Sequence, residues 1–384
     1  MFVLLAYIIL MPIGTGLTIG DYSIMNLVAI CYFIFSVFSR KKWRISADVG
    51  SLSVVLYFVF SLFSLNWAGV YLNVNWYVYT FAMNMILFIF ITWDTYNQKE
   101  IKAIHTSVFL SIIVVCAVTL INIQSAVQFR LQIELNRPID MNDFGCGLLL
   151  IIALLIYRFY TGKKLLNIIL LSVMLLILIL TGSRGALISG IAVICCGVIL
   201  HGQKVKNIIW SLIGIAAVII FFILIKDYIP VYLQKRFLLS TLLEDHGTGR
   251  TFIWYSAFET VKNANVFQMA FGSAFNTFGN AISPIYGYYK MSHNVFVQSL
   301  IETGFLGLSI FIAALLSCIK RSFSSEIKFI LPALVGLIIS SLSLDMHVTR
   351  IFGLILSLCF IKKYREVPQT ALMPADQALS RIRS

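Results

Sequence analysis

Long apolar runs alternate with short polar segments from one end of the chain to the other. A helix that crosses a bilayer needs roughly 17–25 mostly apolar residues, and most of the runs approach that length. We therefore expect an all-α polytopic integral membrane protein with about twelve transmembrane helices, or eleven if one of the shorter runs does not span. The predicted spans are residues 2–17, 24–38, 50–67, 76–93, 104–121, 142–160, 165–180, 186–200, 208–225, 294–319, 327–344 and 351–360.

Composition favours a single transmembrane domain over residues 1–384. Hydrophobic residues make up 60% of the chain and charged residues 12%, whereas about a quarter of a soluble domain is charged. The first span has no basic leader and no small-residue cleavage site, so we expect it to be retained. The seven cysteines lie within or beside apolar runs without zinc spacing, which is typical of small buried side chains.

Basic residues predict the orientation of the spans. With the N-terminus inside, the inner segments hold 19 of the 29 basic residues, as expected for cytoplasmic loops. Both termini, including a tail over residues 362–384, are therefore expected in the cytoplasm. The net charge of +13 is dispersed among these loops and not clustered on one element, so nucleic-acid binding is a poor explanation of it and we expect no nucleic-acid partner.

One outer loop, residues 226–292, is much longer than the others and rich in aromatic residues. The pattern after Arg250 predicts a helix to Val261 with Thr248 as its N-cap, and Gly272, Gly279, Pro284 and Gly287 predict turns. We expect short helices that lie along the membrane surface and cap a cavity. The aromatic side chains fit either an interfacial belt or stacking against sugar rings.

Three polar residues on the outer side form the candidate site. Arg184 lies in a polar pinch, residues 181–185, between two apolar runs, Arg250 opens the predicted loop helix, and His293 lies where the loop re-enters the membrane. Paired arginines suit a phosphate or pyrophosphate, and a histidine flanked by cations tends to be neutral and able to accept a proton. Alternatively, Arg184 reaches the headgroups, Arg250 neutralises the loop, and His293 is an interfacial residue.

Several other outer residues are secondary candidates. Asn142 and Asp143 lie at the mouth of the sixth span. Asp345, His347 and Arg350 form a tight turn, for which capping and pairing are favoured over catalysis. The outer arginines that could bind phosphate or headgroups are Arg137, Arg236 and Arg350.

Two expectations concern residues close to these candidates. Glu302 could pair with a buried arginine, and Gly304 and Gly307 are expected to permit close helix packing. No outer carboxylate pair for a divalent metal is evident, because residues 244–246 are best explained as a solvated turn. We therefore expect no metal and no cofactor.

At these residues the chain resembles the O-antigen ligase and polymerase superfamily. The similarity runs from about residue 142 to residue 307, in the family's order and around its large periplasmic loop. It rests on Thr181-Gly182-Ser183-Arg184-Gly185-Ala186, on Gly249-Arg250 with Trp254, on Ser292-His293-Asn294, and on Glu302-Thr303-Gly304 with Gly307.

The resemblance implies a GT-C-type glycosyltransferase in a Gram-negative inner membrane, with a periplasmic active site. Its substrates would be oligosaccharides and polysaccharides on undecaprenyl pyrophosphate, and its partners membrane lipid and a chain-length regulator. The arginines at positions 184 and 250 would hold the pyrophosphate, and His293 would lie near the attacking hydroxyl. The further pyrophosphate- or glycan-binding candidates are Asn294, Trp254, Asp143 and Arg236.

Three functions remain open. A polymerase transfers the growing glycan to the next lipid-linked repeat unit, whereas a ligase transfers it to lipid A–core. Both use the same donor, so the triad of Arg184, Arg250 and His293 does not separate them, and we favour the polymerase. A transporter is less favoured because the chain shows no internal repeat.

Overall fold

The computed structural model describes residues 1–20, 22–39, 49–72, 75–128, 130–162, 164–201, 231, 234 and 249–362. The predicted span 208–225 lies outside these residues. Each of the other eleven predicted segments overlaps a helix, although the predicted segment 2–17 is α-helical only over Phe2–Leu10. The apolar runs of the sequence therefore located the helices, although several ends differ.

The helices in chain order are α1 (Phe2–Leu10), α2 (Ile24–Ser39), α3 (Val49–Phe63), α4 (Trp76–Thr92), α5 (Gln98–Ile121), α6 (Ile123–Gln128), α7 (Met141–Thr161), α8 (Lys164–Leu180), α9 (Arg184–His201), α10 (Arg250–Lys262), α11 (Val266–Phe271), α12 (Phe278–Tyr286), α13 (Val295–Ser322), α14 (Ile330–Ser341) and α15 (Arg350–Leu358). Short 3-10 turns occupy Met11–Ile13, Ser64–Trp67, Gly69–Tyr71 and Met346–Val348. Two short strands, β1 (Thr18–Ile19) and β2 (Tyr22–Ser23), pair antiparallel.

Five of the described helical segments are long and apolar enough to cross a membrane. Five shorter apolar helices, of 10–17 residues, accompany them. Large apolar side chains are exposed along many of these helices, for example Ile113 on α5 and Leu165 on α8, as expected where the solvent is lipid. The chain is therefore a membrane-embedded helical protein. The five long segments are Val49–Trp67, Gln98–Ile121, Met141–Thr161, Arg184–His201 and Val295–Ser322.

Helix α7 is the centre of the bundle. Its residues from Phe144 to Ile156 are all buried, and the helix packs against α5, α8, α9 and α14. A helix that is apolar on all sides is covered by protein or by lipid, and other helices cover this one. The first turn of α7 carries Asn142 and Asp143, so this central helix also brings polar groups to one end of the bundle.

Helix α13 contains a break at Gly304. This residue has φ 66° and ψ −171° inside the helix, a conformation that glycine adopts without steric penalty. The break deprives carbonyls of their helical donors, and the loop supplies replacements: Ser273 N donates to Ile301 O, and Ala274 N donates to Glu302 O, both at 2.9 Å. The expected close packing at Gly304 is confirmed, because a Cβ there would overlap the backbone of Ala270.

Three local predictions are wrong. Helix α5 begins at Gln98, six residues before the predicted span, because Asn97 and Glu100 form a reciprocal capping box. Helix α10 covers the predicted segment, but its N-cap position is Gly249, with φ 77°, instead of Thr248.

The third correction concerns Gly279 and Pro284, which lie inside α12 and not in turns. Proline cannot donate to the carbonyl four residues earlier. The Ser283 hydroxyl donates to that carbonyl, Asn280 O, at 2.9 Å instead. Gly279 leaves room for the ring of Tyr289, which a Cβ would overlap. Tertiary packing therefore allows a helix that the local sequence does not favour.

Candidate functional site

The polar pinch reverses the chain between α8 and α9. The Thr181 hydroxyl donates to Leu178 O at 2.6 Å, and Gly182 has φ 65°. Ser183 Oγ accepts from Ala186 N at 3.3 Å, which is the geometry of an N-cap. Arg184 is the first residue of α9 and is half-buried. A guanidinium at a helix N-terminus combines two attractions for an anion, its own charge and the aligned backbone N–H groups.

Two contacts fix the position of this pinch. The Ser183 hydroxyl donates to Asn142 Oδ1 at 2.7 Å, which ties the pinch to the first turn of α7. A Cβ on Gly185 would overlap the Ser343 hydroxyl, so α9 approaches the turn after α14 very closely. The segment of Arg184 therefore meets the turn that carries Asp345.

His293 lies between α12 and α13 in the left-handed region, with φ 50°. Its Nδ1 lies 3.1 Å from Asp345 Oδ2, and its side chain is 40% exposed. Because the carboxylate accepts, Nδ1 carries the hydrogen and Nε2 of the neutral ring is the acceptor. The pairing therefore fixes the orientation of the His293 ring and, in the neutral ring, its tautomer.

The backbone around His293 is held by side chains. Trp254 Nε1 donates to Ser292 O at 2.9 Å, and the buried Ser292 hydroxyl lies 2.8 Å from Asn294 O and 3.3 Å from Asp345 Oδ1. A non-glycine residue in the left-handed region costs about 1–2 kcal/mol. Such strain persists only where neighbours overdetermine the conformation, as these contacts do.

The Asn294 side chain makes its hydrogen bonds to the protein backbone. Its Oδ1 accepts from Phe296 N and Val297 N, which caps α13, and its Nδ2 donates to Leu342 O at 3.2 Å. The residue therefore ties the start of α13 to the turn that precedes Asp345. This geometry supports a role in positioning His293.

Helix α10 brings Arg250 to the same region. Arg250 and Trp254 are four residues apart, so they share one face of α10. The bond from Trp254 to Ser292 O therefore places one turn of α10 beside His293. The described contacts thus join the segments of all three predicted residues around Ser343, Asp345 and Ser292.

Asp345 is the residue whose role sequence reasoning missed. The sequence favoured capping and pairing in its turn, and no spacing rule connects it to a histidine 52 residues earlier. Beside it, His347 is buried between the rings of Phe81 and Phe275. Burial lowers the pKa of His347 to about 4, and the charge of Asp345 acts in the opposite direction. His347 is therefore neutral at physiological pH, and Asp345 pairs with His293 instead.

The remaining candidates are distributed differently. Asp143 faces a cavity that Arg350 also lines, while its neighbour Asn142 faces the pinch. Arg236 lies outside the described residues. The Glu302 carboxylate accepts from Gln298 Nε2 at 3.0 Å and from the backbone of Phe278 at 3.3 Å. Within the described ranges Glu302 contacts no arginine, so the expected pairing with one is not found there.

The aromatic loop also encloses space, as expected. A cavity of about 390 Å³ lies between α10, α12 and α13. Its polar lining consists of neutral hydroxyl and amide side chains, including Asn263, Gln268 and Asn280. No group of three or more His, Cys, Asp or Glu residues in the described part of the chain is arranged to hold a metal.

Comparison with known proteins gives one family. Residues 166–312 match a family model described as O-antigen ligase, which confirms the resemblance drawn from the motifs. The matched region contains Arg184, Arg250 and His293, whereas Asp143 and Asp345 lie outside it. A search of curated proteins found no match.

Proposed function

Because residues 166–312 match a family model described as O-antigen ligase, we propose that this protein is an O-antigen polymerase. It moves a growing glycan from undecaprenyl pyrophosphate to the next lipid-linked repeat unit, at the periplasmic face of a Gram-negative inner membrane. The observation that carries the proposal is the His293–Asp345 pair, 3.1 Å apart, at the point where the Arg184 and Arg250 segments converge.

The two arginines bind the pyrophosphate of the donor. Arg184 opens α9 and Arg250 opens α10, so each guanidinium is accompanied by the positive end of a helix. Pyrophosphate is already a good leaving group once its charge is balanced. Positioned cations therefore supply much of the catalysis without a metal, and we propose a metal-independent GT-C-type transferase.

The transfer is a displacement at the anomeric carbon of the donor. The acceptor hydroxyl oxygen forms the new glycosidic bond, the bond from carbon to the pyrophosphate oxygen breaks, and the leaving pyrophosphate takes the electron pair. His293 Nε2 accepts the hydroxyl proton, while Asp345 holds the Nδ1 hydrogen and stabilises the positive ring. Asn294 and Trp254 position His293 through the backbone on either side of it.

The first experiment tests the arginines. Arg184→Ala and Arg250→Ala should each lower glycan transfer by about 10²–10³-fold, as for loss of one group that stabilises transition-state charge. Lysine should rescue poorly because a point charge loses the bidentate grip. Arg158→Ala is the matched control, because Arg158 lies near the other end of α7 over the Phe109 ring. Normal glycan ladders in both alanine variants at equal protein levels would refute the assignment.

A second measurement separates polymerase from ligase. A cell that lacks the polymerase should make lipid A–core with a single repeat unit, because its ligase still works. A cell that lacks the ligase should make bare core and accumulate polymer on undecaprenyl pyrophosphate. The second pattern in a His293→Ala strain would replace our proposal with O-antigen ligase, the alternative that shares the donor and the triad.

The orientation is part of the proposal. We propose that both termini are cytoplasmic and that the loop 226–292 is periplasmic. Single cysteines at Asp245 and Ser324, in a background without native cysteines, should react with an impermeant thiol reagent from opposite sides of the membrane. Labelling of both from one side would contradict this topology.

A further inference from the structure

A second polar cavity lies beside the candidate site, on the other side of the first turn of α7. It has a volume of about 600 Å³ and lies between the β1–β2 segment, α2, α4, the start of α7 and the start of α15. Asn142 contacts the pinch, and the next residue, Asp143, lines this cavity. The two regions are therefore neighbours without sharing side chains of the triad.

Arg350 is the most unusual residue of the cavity lining. It is 9% exposed, yet in the described part of the chain its guanidinium makes one hydrogen bond, from NH2 to the neutral Asn26 Oδ1 at 3.2 Å. Its Nε has no acceptor among the described residues. A buried cation without an ion pair is costly, and an anion in the cavity would offset that cost.

The carboxylates in the lining narrow the choice of ligand. The Asp140 side chain caps α7 by accepting from Asn142 N at 2.7 Å. Asp143 lines the cavity near Arg350 without an ion pair to it among the described contacts. A bare phosphate would use only Arg350 of these groups. A head group that carries both a phosphate and hydroxyls suits both, because hydroxyls donate to a carboxylate and phosphate oxygens accept from a guanidinium.

Another part of the lining is apolar and exposed. Leu27 and Ile30 of α2 are each 42% exposed, and Trp76 and Tyr79 of α4 are 56% and 59% exposed. Arg137 of the lining is also exposed. The lining therefore combines charged and exposed apolar side chains, as a site for an amphiphile requires.

We propose that this cavity binds a membrane amphiphile with a hydroxylated phosphate head, the phosphate on Arg350 and Arg137 and the apolar chain along Leu27, Ile30 and Trp76. Two sources supply this chemistry, a lipid-linked sugar and a phospholipid such as phosphatidylglycerol. The binding does not depend on glycan transfer and is distinct from the pyrophosphate site at Arg184.

Native mass spectrometry of the purified full chain tests the cavity. The background is Arg184→Ala with Arg250→Ala, which removes the proposed donor site, so failure of the proposed function does not affect the readout. The probes are a polyprenyl pyrophosphate bearing one sugar, phosphatidylglycerol, and the uncharged polyprenol and diacylglycerol. At least one phosphorylated probe should bind tightly and the uncharged probes weakly, and the tighter phosphorylated probe identifies the source.

Arg350→Gln should weaken binding of that probe about tenfold or more, as for loss of a charge-assisted hydrogen bond. Arg158→Gln, which removes a charge near the other end of α7, should leave the affinity unchanged. Arg137→Gln and Leu27→Trp lie at the exposed rim and test the charged and the apolar lining separately if Arg350→Gln does not fold. Equal affinity in all of the folded cavity variants, or equally tight binding of the uncharged probes, would overturn the proposal.

Discussion

The two polar regions on either side of the first turn of α7 are built in different ways. Around His293 each group has a defined partner: Asp345 for the ring, Trp254 for the preceding carbonyl, and backbone N–H groups for Asn294. Around Arg350 a buried charge has one neutral partner among the described residues and an open cavity of about 600 Å³ beside it.

This difference in hydrogen-bond partners suits the two regions to different roles. Catalysis needs groups held at fixed geometry before the substrate arrives, because reorganisation during the reaction is costly. Binding of an anion needs the opposite, a positive side chain whose charge is balanced by the ligand and not by the protein. We therefore expect substitutions near His293 to change rates or folding, and substitutions near Arg350 to change affinity.

The largest expected effect is on the His293–Asp345 pair. His293→Ala should lower the transfer rate by about 10²–10⁴-fold, the usual loss when a general base is removed. Asp345→Asn should cost less, about ten- to a hundredfold, because Nε2 remains but its tautomer is no longer fixed. Single-turnover rates with a lipid-linked donor would measure both.

The double variant sharpens this test. If Asp345 acts only through His293, the double variant should be no slower than His293→Ala, because residues that act as one unit are not additive. Strictly additive losses would mean that Asp345 has a role separate from His293, which would contradict the claim that the two residues act as one unit. His293→Gln distinguishes proton transfer from hydrogen-bonded positioning, since strong rescue by glutamine supports positioning alone.

The second prediction concerns the tight packing that supports the His293 region. Gly304→Ala should destabilise the protein by about 2–5 kcal/mol, because it combines left-handed strain with a clash against the Ala270 backbone. Gly69→Ala is the matched control, because Gly69 also has positive φ, 56°, but open space where a Cβ would lie. Thermal unfolding of the two variants in detergent separates the clash from the strain, and equal losses would mean that packing at Gly304 contributes nothing.

How far the sequence predicts each region follows from the range of the interactions. Apolar runs reveal helices because burial in lipid acts on every residue of a span, and eleven of the predicted segments overlap described helices. Motifs predicted Arg184, Arg250 and His293 as candidates because each motif is a short local run of residues. Asp345 was assigned to capping because its partner His293 becomes its neighbour only after α13 and α14 have packed.

The same limit explains the errors at helix ends. Pro284 and Gly279 predict turns by local chemistry, but the Ser283 hydroxyl and the Tyr289 ring make α12 possible. The lone cation at Arg350 was visible in the sequence only as one of several outer arginines. Its burial and its single neutral partner depend on α2, α4 and α15 together, and the sequence pattern does not reveal them.

A third prediction uses the neutral His347 beneath the site. Its pKa in the folded state, about 4, lies below the ordinary value of 6.5, so the unfolded chain takes up the proton first as the pH falls. The stabilisation is fully present above about pH 6.5 and is lost as the pH falls from there towards 4, by about 3 kcal/mol in total.

Unfolding temperatures between pH 7.5 and pH 4.5 check this sign. The wild-type protein should lose stability over this range more steeply than His347→Phe, which keeps a ring between Phe81 and Phe275 but does not titrate. The two proteins differ only at position 347, so the difference in slope reports His347 together with its coupling to Asp345. If the unfolding temperatures of the two proteins fell in parallel between pH 7.5 and pH 4.5, His347 would not take up its proton in this pH range.

The smallest expected effect lies at the boundary between the two regions. The Ser183 hydroxyl oxygen accepts from Ala186 N to cap α9 and donates to Asn142 Oδ1. Ser183→Ala removes both contacts and should cost about 1 kcal/mol, as for loss of an N-cap. Asn142→Ala removes only the second contact, so a double-mutant cycle isolates it, with an expected coupling of about 0.5–1.5 kcal/mol.

If this bond alone fixes α7 to the pinch, Asn142→Ala should reduce glycan transfer and leave the affinity of the Arg350 cavity unchanged. Loss of both functions would mean that the first turn of α7 couples the two regions.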